Sequence, residues 1–279
     1  MSAARPPEGA RPLEGGAAAH EVRKAGGGHT GQPSLLLLCG LLCDRASWAP
    51  VLPDLERHAH CRVPDYSSEH SLAAMAERVL ADAPATFALA GHSMGGRVAL
   101  EVMRRAPERV TRLALLDTGY RSRPDGSAGD DERERRFALL ALAREQGMRA
   151  MGREWMQAMV HPARLHDTAL VEDVLAMVAR QTPDNYAAQI DALLARPDVT
   201  DVLRGIRVPT LIACGRQDAW SPLAQHEAIA SHVPDSTLVA FDDCGHMAMM
   251  ERPDAVAAAL VAWLAVPAAV DRAAHRATA

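Results

Sequence analysis

Residues 88–100 read ALAGHSMGGRVAL, and the rest of the chain is organised around this stretch. An apolar run ends at Gly91, Ser93 follows, and an amphipathic segment begins at Arg97. The pattern predicts a strand, a sharp turn and a helix, with the Ser93 hydroxyl exposed at the apex in a strained backbone conformation. Residues two before and two after such a serine crowd each other, and the glycines at 91 and 95 satisfy that constraint.

Short apolar runs alternate with amphipathic segments on both sides of this turn. The runs are continuously apolar, which is typical of parallel strands buried on both faces. We therefore predict an α/β fold, with a mostly parallel sheet covered by helices on both faces. A helix capped by Ser47 and ending near Arg57 is predicted after the first strong strand. The predicted strands are residues 34–39, 61–64, 86–90, 111–116, 210–214 and 237–241.

The rhythm of strand and helix stops in the middle of the chain. Residues from about 130 to 195 carry only helical periodicities, which predicts a helical cap, residues 121–197, inserted into the sheet domain. The sheet domain is then formed by residues 33–120 and 198–265. Residues 1–32 contain almost no large apolar side chain, so we predict a disordered N-terminal segment, and residues 266–279 are predicted to be a frayed C-terminal tail.

Bulk composition excludes several classes of partner. A net charge of −5 gives no basic excess for binding nucleic acid or an anionic membrane. No apolar run reaches the roughly 18 residues of a membrane span, and residues 1–33 lack the apolar core of a secretion signal, so we expect a cytoplasmic protein. The five cysteines form no C-x-x-C pair and no zinc spacing, which predicts reduced thiols and no metal site.

Ser93, Asp218 and His246 each follow a predicted strand directly. Loops at the carboxyl ends of parallel strands meet at one edge of a sheet, so we expect these side chains to lie together. A serine hydroxyl is a poor nucleophile until a base takes its proton, and a histidine can act as that base. A carboxylate can hold the imidazole in the required tautomer. The three residues are therefore our candidates for nucleophile, acid and base.

This chain order is that of the α/β-hydrolases, and residues 33–264 resemble a serine carboxylesterase of that fold. The chain is similar to the carrier-bound pimeloyl methyl ester esterases and related small-ester hydrolases. The resemblance implies hydrolysis of a small-molecule ester through an acyl-enzyme, with no cofactor. It rests on Gly40-Leu41-Leu42 after the first strong strand, GHSMGG at 91–96, Gly215 to Asp218, and Gly245-His246 followed by Glu251-Arg252-Pro253.

Two further expectations concern the groups around Ser93. The backbone N–H of Met94, directly after the nucleophile, is a candidate oxyanion donor, and the resemblance implies the N–H of Leu41 as the second. A cap of this kind determines specificity in such hydrolases. Its methionines either line a pocket for an acyl chain of variable shape or fill gaps between the cap helices. We expect a preference for short to medium acyl chains. The candidate pocket residues are Leu42, Trp155, Met159 and Met247.

Several alternatives remain open at this point. Asp117 also ends a predicted strand, and some members of the fold carry the acid there. His92 should point away from the site. Asp242 and Asp243 are too close to His246 in sequence to orient it and are expected to cap the loop.

Cys39 occupies the position where many relatives have a histidine that braces the oxyanion loop. A nucleophilic role for Cys39 lacks a base nearby in sequence. The cap arginines form a solvated helix face or meet an anionic carrier; they are Arg133, Arg135, Arg136, Arg144, Arg149 and Arg153.

The same triad supports several reactions besides ester cleavage. Lactone, thioester and carbon–carbon bond hydrolysis all remain possible, as does a hydrolase-fold lyase or a ligand-binding protein with negligible turnover. The sequence leaves the oligomeric state and the physiological substrate open.

Overall fold

A computed structural model of the chain describes residues 31–267. The predicted disordered segment and frayed tail lie outside the described residues, apart from 31–32 and 266–267. Within that range, no helix combines the length and apolar character that crossing a membrane requires.

Six parallel strands form one sheet in the order β2-β1-β3-β4-β5-β6. Strands β3 and β5 are buried along their whole length, because helices cover both faces of the sheet. The predicted α/β class is confirmed. The strands are β1 (Ser34–Leu38), β2 (His60–Arg62), β3 (Phe87–His92), β4 (Val110–Leu116), β5 (Thr210–Gly215) and β6 (Thr237–Phe241).

Helices connect the strands, and α4 to α7 form the insertion predicted between β4 and β5. The helices are α1 (Leu52–Leu55), α2 (Leu72–Ala81), α3 (Met94–Arg105), α4 (Ser127–Gln146), α5 (Met148–Trp155), α6 (Thr168–Ala179), α7 (Pro183–Leu194), α8 (Thr200–Gly205), α9 (Leu223–His232), α10 (Ala248–Glu251) and α11 (Pro253–Ala265). Short 3-10 turns occupy Arg45–Ser47, Pro107–Arg109, Met156–Ala158 and Pro162–Arg164.

The helix predicted from Ser47 to Arg57 is wrong. Asp44 caps a 3-10 turn by accepting a hydrogen bond from Ala46, and the Ser47 hydroxyl donates to the Asp44 carbonyl instead of capping a helix. Pro50 then disfavours the helical conformation at the residue before it. Only the single turn of α1 remains helical.

The strand order changes direction at β1, which has β2 on one side and β3 on the other. Loops leaving the carboxyl ends of β1 and β3 therefore diverge and leave a crevice between them, the usual ligand position in an open α/β sheet. The loop after β1 begins at Cys39, and the turn after β3 contains Ser93. The topology thus brings the two conspicuous loops of the sequence to one crevice.

Candidate active site

Ser93 joins β3 to α3 in a strained conformation, with φ 54° and ψ −117°. A non-glycine residue held in such a region costs about 1–3 kcal/mol. Two hydrogen bonds hold it there: its N–H donates to the Leu116 carbonyl at 2.9 Å, and its carbonyl accepts from the Thr118 hydroxyl at 2.6 Å. The end of β4 therefore supports the strained turn.

The glycines around Ser93 are required by close backbone contact. A Cβ at Gly91 would overlap the backbone of Gly95, and a Cβ at Gly95 would overlap the carbonyl of Leu38 in β1. The start of α3 therefore packs directly on the end of β1 with no side chain between them.

A chain of hydrogen bonds links Ser93, His246 and Asp218. His246 Nε2 lies 2.8 Å from Ser93 Oγ, and His246 Nδ1 lies 2.8 Å from Asp218 Oδ2. The side chains of His246 and Asp218 are 3% and 0% exposed. An ionised carboxylate only accepts, so Nδ1 carries the proton and Nε2 is free to accept from the serine hydroxyl.

Asp218 is held in its ionised form. Burial raises its pKa, but the charge and hydrogen bond of His246, with backbone N–H donors from the same loop, bring the pKa below the ordinary value. Asp242 and Asp243, the acids nearest in sequence, are exposed and pair with surface arginines.

Asp117, directly after β4, is also fully buried, but its carboxylate has other neighbours. One of its carboxylate oxygens accepts from the Gly215 N–H at 2.8 Å, and the other is 3.9 Å from His92 Nε2. Burial, and next the charge of Asp218, raise the pKa of Asp117 well above its usual value. The structure therefore brings Asp218, and not Asp117, to the His246 ring.

The expectation that His92 points away from the site is wrong. Its ring centre lies 5.2 Å from that of His246, and its Nε2 lies 2.7 Å from the His246 carbonyl. Burial lowers the pKa of His92 to about 3, so the ring is neutral and Nε2 is the nitrogen that donates. The sharp turn at Ser93 leaves the His92 side chain beneath the histidine loop, where it supports the backbone of that loop.

Glu251 organises the same loop and was missed as a functional residue, although it stands in one of the matching motifs. Its buried carboxylate accepts from the N–H groups of Gly245 and Met247, each at 3.1 Å, and from the N–H of His161 at 2.8 Å. One side chain thus satisfies donors on both sides of His246 and one from the cap.

The two candidate oxyanion donors are the N–H of Leu41, in the loop after β1, and the N–H of Met94. Gly40 to Cys43 form a turn closed by a 3.1 Å backbone hydrogen bond, with Leu42 at φ 62°. The Leu42 N–H donates to the buried side chain of Gln189 in α7 at 2.9 Å. Met94 is the first residue of α3, so its N–H has no acceptor within the helix.

Cys39 does not weaken this loop. The Tyr66 hydroxyl donates to the Cys39 carbonyl at 2.6 Å, which braces the backbone from below. Burial raises the pKa of the Cys39 thiol to about 12, so the thiolate that nucleophilic attack requires does not form at neutral pH.

The cap residue Gln189 was also missed, and its contact with the loop is testable. Gln189→Met removes the acceptor for Leu42 and keeps the side-chain length, so we expect kcat for p-nitrophenyl acetate to fall about tenfold to a hundredfold with little change in KM. Gln189→Glu keeps an acceptor oxygen and should recover most of kcat. Equal losses in both variants would contradict a positioning role.

A cavity of about 400 Å³ opens beside Ser93 and His246. Trp155, Met159 and Met247 line it, together with Leu41 and Met94. Leu42 does not: its side chain is fully buried, because the positive φ of the turn directs it into the core.

Solved structures of known proteins share the fold of this chain. A thermophilic esterase from Thermogutta terrifontis superposes with a TM-score of 0.73 at 28% identity, covering 84% of this chain and 90% of that one. An enol-lactonase from Burkholderia xenovorans LB400, 24% identical with a TM-score of 0.74, shares the fold over 86% of this chain and 94% of its own.

Proteins related in sequence include esterases. The pimeloyl-[acyl-carrier protein] methyl ester esterase of Aromatoleum aromaticum is 28% identical over 241 residues, which span 80% of this chain and 94% of that protein. The profile of the Alpha/beta hydrolase family matches residues 34–259. The chain therefore belongs to the alpha/beta hydrolase family.

Proposed function

We propose that the protein is a serine esterase that cleaves carboxylic esters of small to medium acyl groups through an acyl-enzyme. Ser93 is the nucleophile, His246 the general base and Asp218 the acid of the triad. The observation that carries the proposal is the continuous hydrogen-bonded chain from Asp218 through His246 to Ser93 at the wall of a cavity of small-molecule size.

The reaction follows from the direction of these hydrogen bonds. His246 Nε2 takes the hydroxyl proton as Ser93 Oγ attacks the ester carbonyl, and Asp218 stabilises the imidazolium that forms. When the tetrahedral intermediate collapses, the carbon–oxygen bond of the leaving alcohol breaks and His246 returns the proton to that oxygen. Water then attacks the acyl-enzyme by the same proton transfers and releases the acid and free Ser93.

The negative charge of each tetrahedral intermediate is stabilised by the backbone N–H groups of Leu41 and Met94. Both donors belong to residues next to a strained position, Leu42 in one case and Ser93 in the other. Strain held by the surrounding fold is typical of preorganised sites. Losing one such donor typically costs about 3–4 kcal/mol of transition-state stabilisation.

The cysteines and the net charge of the chain bear on its location and its partners. All five cysteines are unpaired, which favours a reducing compartment, the cytoplasm. The acidic balance of the chain argues against nucleic acid as a partner. The related proteins are named as esterases, which supports an ester as the substrate, and the size of the cavity supports a small one.

A panel of p-nitrophenyl esters from acetate to palmitate tests the reaction and the chain length together. We expect kcat/KM to be highest between acetate and hexanoate and at least about tenfold lower for laurate and palmitate. The reason is that a cavity of about 400 Å³ has room for a small ligand and not for a long acyl chain. A pre-steady-state burst of p-nitrophenol should accompany turnover. Highest turnover on palmitate would contradict the chain-length proposal.

The panel also includes a thioester, an enol lactone and a β-diketone. Faster turnover of one of these than of every ester would replace ester cleavage by the corresponding hydrolysis. Absence of both burst and turnover on all of them would favour a lyase or a binding protein.

A further inference from the structure

The cavity beside Ser93 carries an unbalanced positive charge. Four arginines line it, and Glu132 is the only carboxylate among its described lining residues. Arg97 comes from the core helix α3, and Arg136 and Glu132 come from the cap helix α4. Arg196 follows the cap helix α7, and Arg135 is exposed at the mouth.

Glu132 is shared by two buried guanidinium groups. It accepts from Nε and Nη2 of Arg136 at 3.0 and 2.8 Å and from both terminal nitrogens of Arg196 at 2.8 and 2.7 Å. The three side chains are 6–12% exposed. One carboxylate therefore neutralises only one of two cations that are largely removed from water, which is costly without a further anion.

Arg196 retains an unused donor. Its Nε–H is buried and has no hydrogen-bond partner among the described residues, although Nη1 also donates to the Leu193 carbonyl. An unsatisfied buried donor costs about 1–3 kcal/mol, and more when it is charged. The described residues therefore leave the Arg196 guanidinium, which lines the cavity, incompletely compensated.

Arg97 adds a third cation one helical turn from Ser93, since its backbone N–H donates to the Ser93 carbonyl at 3.3 Å. Its Nη1 donates to the Arg121 carbonyl at 2.9 Å, and no carboxylate lies within 4 Å of it in residues 31–267. A Cβ at Gly119 would meet its Nη2 at 2.6 Å, so the missing side chain there leaves room for the guanidinium. Burial, and next the charge of Arg196, lowers the pKa of Arg97 to about 9.

We propose that Arg136 and Arg196, which share Glu132, form together with Arg97 an anion subsite that binds an oxyanion group, a carboxylate or a phosphate, carried by the ester substrate away from its scissile bond. Planar guanidinium groups match both kinds of oxyanion. The catalytic part of this inference rests on the proposed esterase function, whereas anion binding does not. In contrast, the cap arginine Arg149 pairs with Glu172 on the surface and does not line the cavity.

A binding experiment tests the subsite without catalysis. Calorimetric titration of the full chain uses glutarate, inorganic phosphate and, as the uncharged counterpart of glutarate, glutaramide. We expect glutarate or phosphate to bind at least about tenfold more tightly than glutaramide, and Arg196→Gln to remove that difference. Arg97→Gln leaves the contact between Arg196 and Glu132 intact and should also weaken the preference for the anion. It therefore tests the subsite even if Arg196→Gln fails to fold. Arg149→Gln is the matched control and should leave that preference unchanged.

A kinetic experiment assigns the subsite to the substrate. Monomethyl glutarate is compared with dimethyl glutarate, and methyl 4-phosphonooxybutanoate with methyl 4-methoxybutanoate. We expect kcat/KM to favour the anionic member by about tenfold to a hundredfold, and this ratio to fall by a similar factor in Arg196→Gln but not in Arg149→Gln. The pair with the larger ratio identifies carboxylate or phosphate as the group bound.

The outcomes separate the two proposals. The anion subsite is overturned if neutral and anionic esters are hydrolysed equally well and glutarate, phosphate and glutaramide bind equally. The esterase proposal then stands, and the arginines only join α4 to the end of α7. Tight binding of glutarate or phosphate without hydrolysis of any ester supports the subsite and overturns the esterase. A loss in Arg149→Gln equal to that in Arg196→Gln overturns the subsite.

Discussion

Ser93→Ala should abolish labelling by a fluorophosphonate probe and lower kcat for p-nitrophenyl butyrate by about a millionfold. In the proposed mechanism the Ser93 hydroxyl gives its proton to His246 Nε2, which lies 2.8 Å from Ser93 Oγ, so removal of the hydroxyl disables the whole proton-transfer chain. The residual rate should equal hydrolysis promoted by the oxyanion donors alone. Labelling followed by intact-mass measurement gives the stoichiometry, and stopped-flow absorbance gives the rate.

Two controls make the Ser93 result specific. Ser231→Ala removes an exposed hydroxyl near the end of α9 and should keep both labelling and kcat. Ser93→Ala keeps a Cβ at the strained position, so its melting temperature should stay close to that of the wild type. Stoichiometric labelling of Ser93→Ala at another residue would refute the assignment of the nucleophile.

Asp218→Asn should lower kcat by about ten-thousandfold, with little change in KM. An amide at this position can donate to Nδ1, which favours the tautomer with the proton on Nε2, and that tautomer cannot accept from Ser93. The buried Asp218 carboxylate also stabilises the imidazolium, and an amide cannot replace its charge. Steady-state kinetics with p-nitrophenyl butyrate measure the loss.

Asp117→Asn is the matched control for the acid. Burial already raises the pKa of Asp117, and an asparagine keeps an oxygen that can accept from the Gly215 N–H, so kcat should stay within about threefold of the wild type. The opposite ranking of the two variants would move the acid of the triad to the end of β4.

The sequence predicts the parts of this protein that depend on local chemistry. Continuously apolar runs identify the parallel strands because burial on both faces leaves no polar position. The glycines on either side of Ser93 identify the turn because a Cβ at 91 or 95 would overlap backbone atoms. The positions of Asp218 and His246 after their strands predict one shared edge, where the structure brings them together with Ser93.

Contacts between the cap and the core could not be predicted in the same way. Leu42 and Gln189 are 147 residues apart, and Arg196 and Glu132 are 64 apart, and no local pattern selects these partners. No local pattern separates the cap arginines from one another either, although Arg136 is buried and Arg149 is exposed. His92 was misplaced because the direction of its side chain depends on the strained φ of its neighbour.

If Leu41 is an oxyanion donor, as proposed, the hydrogen bond from Leu42 to Gln189 makes the cap part of the charge-stabilising machinery as well as a cover. A bulky substrate that pushes α7 outward would withdraw the acceptor from the loop and disturb the neighbouring Leu41 N–H during the reaction itself. Oversized esters should therefore be penalised in turnover number even when they bind well. Mutagenesis aimed at larger substrates should relieve crowding on α5 and leave α7 in place.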